Sequence, residues 1–188
     1  MAVSLRKGGS VNLTKESPDL KNIMVELGWK EDIDLDVSAF LLGRDSKVTK
    51  ESNFVFYGNK ADDSGAVFHH GDKTTGETED GDGEKEEIEV NLEMLPGNVA
   101  SIVFVVTIFS NNNQSINFSQ ISGSYISLKN IDTDKEIVRY ELDRMDESIS
   151  CVFGKLTKDG TAWSFNAVGQ GFEMDLADIC NKFGVEVE

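Results

Sequence analysis

The sequence predicts a mainly β chain: a single-domain β-sandwich of two packed sheets with a short C-terminal helix. Three observations carry that expectation. Apolar residues recur at period two through most of the chain, turn signals separate those runs, and a 3.6-residue period appears only near the end.

The alternation is clear at Ile23, Val25 and Leu27 and again at Leu35, Val37, Ala39 and Leu41. Phe54-Val55-Phe56-Tyr57 is aromatic and β-branched, and Ile88, Val90 and Leu92 alternate with acids and Asn91. Ile102 to Phe109 is apolar on both faces, as a central strand requires. Tyr125–Leu128, Ile137–Leu142, Ile149–Phe153 and Trp163–Val168 complete about nine expected strands. Turns are expected at Asp63-Ser64-Gly65, Pro96-Gly97, Asn111-Asn112-Asn113 and Asp159-Gly160. Leu176, Ile179, Cys180 and Phe183 share one helical face, with Asp175 as N-cap and Gly184 at the C-terminal position. A short helix is also expected near Ser115–Gln120. Trp29 and Trp163 belong in or beside the core.

At 188 residues the chain has the size of one domain and buries a core without disulfide staples. Cys151 and Cys180 lie far apart without metal-ligand spacing and are expected to be free thiols. Met1 to Lys7 has no apolar signal core, and the longest apolar run is too short to span a bilayer. A cytoplasmic protein without direct membrane insertion is therefore expected.

The net charge is −16. That disfavours nucleic acid, whose phosphates require a positive surface, and anionic lipid for the same reason. Residues 72–93 hold ten acids and two lysines, so half of the excess sits in one short segment.

Two stretches offer dense oxygen donors for a hard cation such as calcium, which takes carboxylate, carbonyl and water ligands. In a strand, Asp32, Asp34, Asp36 and Ser38 would share one face, successive side chains being roughly 7 Å apart. The second stretch, Gly71 to Glu87, alternates glycine with acid, so its backbone can curl and bring carboxylates together. Neither matches an EF-hand. Starting at Asp80 puts Lys85 at the required glycine and Asn91 at the bidentate glutamate; starting at Asp32 puts Val37 and Gly43 there. A solvated acidic loop without metal is the competing reading.

Gly8-Gly9, Leu27-Gly28-Trp29, Asp34 to Leu42 and Phe54-Val55-Phe56-Tyr57 resemble the TerD family of tellurium-resistance and stress-response proteins. Gly71-Asp72, Thr75-Gly76-Glu77 and the acidic run resemble its second signature. Phe118-Ser119-Gln120-Ile121 and Ala167 to Gly171 continue the likeness, which covers nearly all of residues 1–188. The resemblance implies a calcium-binding β-sandwich with no established catalysis. It implies side-chain ligands at Asp34, Asp36, Asp72, Glu77, Asp82, Glu84 and Glu86, and a backbone ligand at Thr75, within an acidic metal loop at about 71–87. It further implies protein partners in a stress-response or membrane-associated complex. The sequence departs from the family pattern at Lys73, at Thr78-Glu79-Asp80, which looks inserted, at Lys85, and in a short Trp29–Asp34 loop. One or two calcium ions are expected.

Other constellations point elsewhere. His69 and His70 would face opposite sides of a strand and not chelate one ion together. A hydrolytic carboxylate pair needs separated pKa values, and nothing in the sequence supplies a distinct base. Gly169-Gln170-Gly171 before a helix suggests a phosphate loop, but no lysine lies nearby and a turn is the simpler reading. The remaining rivals are a metal-independent acidic interaction module and, behind it, a metal-assisted hydrolase or nucleotide-binding protein.

Overall fold

The computed structural model describes residues 2–73, 85–109, 116–142 and 147–187. Within them the alternating segments pair into two six-stranded sheets. The first contains β1 (Val3–Leu5), β3 (Asn22–Gly28), β6 (Val67–His69), β7 (Lys85–Asn91), β9 (Tyr125–Asn130) and β10 (Lys135–Glu141), in the order β1-β10-β9-β3-β7-β6. The second contains β2 (Ser10–Asn12), β4 (Asp34–Leu42), β5 (Phe54–Val55), β8 (Ser101–Phe109), β11 (Ser150–Asp159) and β12 (Ala162–Phe172), in the order β2-β12-β11-β8-β4-β5. All pairings are antiparallel except β1 on β10.

The inward residues of both sheets form the main core. Ile23, Val25, Leu27, Ile88 and Val90 meet Leu35, Val37, Leu41, Phe104 and Val106, all of them fully or almost fully buried. Each such side chain contributes roughly 1.5–3 kcal/mol on leaving water. Trp29 and Trp163 join this core.

The second sheet is covered on its outer face as well. Helix α2 (Leu176–Phe183), which follows a single turn α1 (Leu13–Glu16), lays Ile179, Cys180 and Phe183 on Phe40, Leu42, Val103 and Val105. That second layer is why β8 is apolar on both faces. The Asp175 side chain caps the helix by accepting the Asp178 N–H at 2.9 Å, and Gly184 ends it with a left-handed φ of 82°.

Several expectations change. Three-residue strands β1, β2 and β6 are added, being too short to show a period. The strand expected over Phe54–Tyr57 is only Phe54–Val55. The Ile149–Phe153 segment runs on to Asp159, because β12 pairs with it over that length. The helix near Ser115–Gln120 is a 3-10 turn, Phe118–Gln120. Gly169 is not in a turn: it lies inside β12, where the register shifts opposite Val152 and Gly154, and its φ is +59°. It is a bulge glycine, not a phosphate loop. Both cysteines are free and buried.

Candidate metal centre

The site forms where β4 enters its sheet. The strand begins at Asp34, so Asp32 precedes it and stays exposed. Asp34 and Asp36 lie on the outer side of the sheet, because Leu35 and Val37 alternate into the main core. The third acid, Asp72, arrives from the segment after β6. One carboxylate oxygen from each of Asp34, Asp36 and Asp72 lies within 4.8 Å of the others.

Three like charges this close resist joint ionisation. Burial, reinforced by Asp72, pushes the Asp34 carboxyl up to about 6. Burial, then Asp34 and Asp72, pushes Asp36 up to about 7. The Oδ1 atom of Asp34 is buried with no hydrogen-bond partner among the described residues. A buried acceptor left unmatched costs about 1–3 kcal/mol, and a cation would remove that cost. The donor set is all oxygen, which suits calcium or magnesium over the soft or nitrogen-seeking metals.

Glu86, on β7, is fully buried beside the trio. Its two oxygens are each engaged by backbone: Oε2 accepts the Val37 N–H at 2.7 Å and Oε1 the Lys73 N–H at 3.0 Å. Burial outweighs these two bonds and, with Asp36 and Asp72, raises its carboxyl to about 8. Glu86 thus joins β4, β7 and the start of the acidic loop. The oxygens nevertheless keep lone pairs beyond those two bonds. Thr75, Glu77, Asp82 and Glu84 lie outside the described residues.

Two residues at this corner have roles that the sequence does not assign, although His69 and His70 do face opposite sides as expected. His69 is 1% exposed. Its Nδ1 accepts the Gly71 N–H at 3.0 Å, which places the proton on Nε2, 3.2 Å from the Val37 carbonyl. Burial lowers its pKa and keeps it neutral. With both nitrogens engaged, His69 is a strut for the loop. It is buried with Val67 while Phe68 between them is exposed, an alternation too short to stand out in the sequence. His70 turns outward to Glu89 at 3.2 Å. The other is Tyr57, 41% exposed, whose phenol pKa is raised by burial and then by Asp36, Asp72 and Asp34. Nothing in its local sequence connects it to β4.

The TerD domain matches residues 1–183 of this chain. The chain belongs to the TerD family. Tellurium resistance protein TerD of Serratia marcescens is 42% identical, with 98% of each chain covered. General stress protein 16U of Bacillus subtilis (strain 168) is 37% identical over the whole of both chains. Among solved structures, a homologue of telluride resistance protein (TerD) from Streptomyces coelicolor A3(2) superimposes with a TM-score of 0.68. It covers 84% of this chain and 94% of its own at 20% identity, a likeness of fold alone. The chain is thus a member of a tellurium-resistance and general stress family. Among its described residues no helix is long and apolar enough to cross a membrane.

Proposed function

We propose that this TerD-family chain is a non-catalytic, calcium-binding stress-response protein of the cytoplasm. The observation that carries the reading is the convergence of Asp34, Asp36 and Asp72 within 4.8 Å, with Asp34 Oδ1 buried and, among the described residues, unpartnered. Bound calcium would supply positive charge and a demand for about six to eight oxygens. Asp34, Asp36 and Asp72 are the first ligands. Thr75, Glu77, Asp82, Glu84 and Glu86 are proposed to complete the set for one or two ions. Many carboxylates on one short segment favour calcium over magnesium, which keeps more of its waters.

The residues act by ordering the corner. Glu86 and His69 hold the start of the acidic loop against β4, and the trio closes once its repulsion is relieved. Binding to the ordered state alone stabilises it by roughly 2.7 kcal/mol at a hundredfold excess over Kd. The ordered corner then offers a surface to partner proteins of a stress-response or membrane-associated complex.

Thermal melts with calcium and with chelator test this. The midpoint should rise with calcium in the wild type and stay unmoved in an Asp34→Asn, Asp36→Asn double variant. Equal midpoints in the wild type, with no heat on calcium titration, would leave a metal-independent acidic interaction module.

A further inference from the structure

A second feature lies on the outer face of the β4–β5 edge. A groove of about 730 Å³ runs between the aromatic end of that sheet and α2. One wall is Phe54 and Phe56, stacked at 4.4 Å between centroids. Phe54 also stacks on Phe40 at 4.5 Å, which fixes that wall to the core. The other wall is Leu176, Ala177 and Cys180 of α2 together with Val185 and Val187. Burial raises the Cys180 thiol to about 11, so it stays protonated and serves as apolar wall.

The size and apolar lining suit a bound ligand, but Glu51, Gly58, Glu186 and Val187 of the rim are exposed, so the feature is a surface groove and not an enclosed cavity. The charged residues lining it, among those described, are Glu51 and Glu186, both acids. Lys50, beside Glu51 in the chain, is engaged by Asp63 at 2.7 Å. Strand addition at β5 is blocked. Asn59 Nδ2 donates to the Phe54 carbonyl at 2.7 Å, and Phe56 and Asn59 exchange both backbone hydrogen bonds at 3.0 Å. An occupant must therefore engage the groove through side chains.

We infer that this groove docks a basic, amphipathic segment of a partner protein, apolar side chains between the Phe54–Phe56 wall and α2 and lysine or arginine side chains against Glu51 and Glu186. Charge complementarity selects that occupant. An acidic segment would meet two rim carboxylates on a chain of net charge −16, and a second copy of this chain would bring the same two acids. The inference stands apart from the cation site and does not need it.

The probe is a labelled synthetic peptide alternating lysine with leucine and phenylalanine, with a glutamate-for-lysine peptide as control. It is titrated into the full chain by fluorescence anisotropy at physiological salt, and amide shifts locate it by NMR. Saturable binding of the basic peptide is expected, with shifts at Phe54, Ala177, Cys180 and Val185 and none with the acidic peptide. Ala177→Trp should fill the groove and abolish binding with an unchanged melting midpoint. Glu51→Lys with Glu186→Lys, both at exposed positions, should weaken it by about tenfold. Binding equal in wild type and Ala177→Trp, or shifts confined to the acidic corner, would be mere charge attraction and would overturn the proposal. A dimer dissolved by Ala177→Trp would assign the groove to a second copy and overturn it as well.

Discussion

Glu86 Oε2 accepts the N–H of Val37 at 2.7 Å, joining a strand of one sheet to a strand of the other. The bond answers a topological need. β5 pairs only with Ala39 and Phe40, so among the described residues β4 has no strand beside Val37 on that edge. Glu86 takes the Val37 N–H and His69 takes its carbonyl at 3.2 Å. Both ladder groups are satisfied by side chains, and those side chains place the start of the acidic loop beside Asp36.

Replacing Glu86 with alanine removes the acceptor of the buried Val37 N–H and opens a void. Unfolding in urea with chelator present should lose about 3–5 kcal/mol. Glu86→Gln keeps one acceptor oxygen and nearly the whole side-chain volume, so it should cost less than half as much. Equal losses in the two variants would mean that the Val37 N–H is satisfied elsewhere.

The raised carboxyls set a pH dependence. Asp34, Asp36 and Glu86 sit at about 6, 7 and 8 in the folded chain, above their ordinary values of 3.8, 3.8 and 4.5. The folded state therefore holds more protons than the unfolded one between about pH 4 and 8. Their contribution to stability is complete below the ordinary carboxylate range and is lost as pH rises through the folded values. His69 acts in the opposite sense, since its lowered pKa favours the folded state at higher pH. The Asp36→Asn variant separates the two. With chelator, the wild type should lose stability relative to this variant from pH 5 to pH 8. With calcium the difference should shrink or reverse, because the cation replaces the protons. A wild type that gains on the variant with rising pH in chelator would contradict the assignment.

Much of this architecture was legible because burial leaves a period. β3, β4 and β7 each bury alternate residues in the core, and β8 lies under two layers, so their patterns are distinct. The α2 face and its caps were legible for the same local reasons. β1, β2 and β6 were not, since three residues carry no period and their stability comes from distant partners such as β10 and β12. At the site, Asp34 and Asp36 showed as a strand face, and Asp72 followed from the family resemblance. The roles of His69 and Tyr57 were not legible because they depend on the Val37 carbonyl and on the charges of Asp36, Asp72 and Asp34, all distant in the chain.

Gly169 shows how a bulge serves packing between sheets. At φ +59°, its missing side chain leaves room for the Tyr140 hydroxyl of β10, which a Cβ there would strike. Gly169→Ala should cost about 2–4 kcal/mol, combining backbone strain with overpacking. Adding Tyr140→Phe removes the struck oxygen and should return part of that loss, so that the two changes are not additive. Simple additivity in urea unfolding would place the strain in the backbone alone.

Tyr57 offers a direct optical reading of the acidic corner. Its phenol is held above the ordinary value first by burial and then by the charges of Asp36, Asp72 and Asp34. Cation binding at those three carboxylates would cancel the charge contribution and leave the burial. The phenolate should therefore form at lower pH with calcium than with chelator, followed by ultraviolet absorbance. Tyr125 and Tyr140 also absorb, so the Tyr57→Phe variant supplies the baseline to subtract. Asp36→Asn should lower the Tyr57 value without any metal, because it removes the largest of the three charge contributions. If calcium moves the Tyr57 titration equally in wild type and in the Asp34→Asn, Asp36→Asn double variant, the ion that perturbs the phenol is bound elsewhere than at this trio.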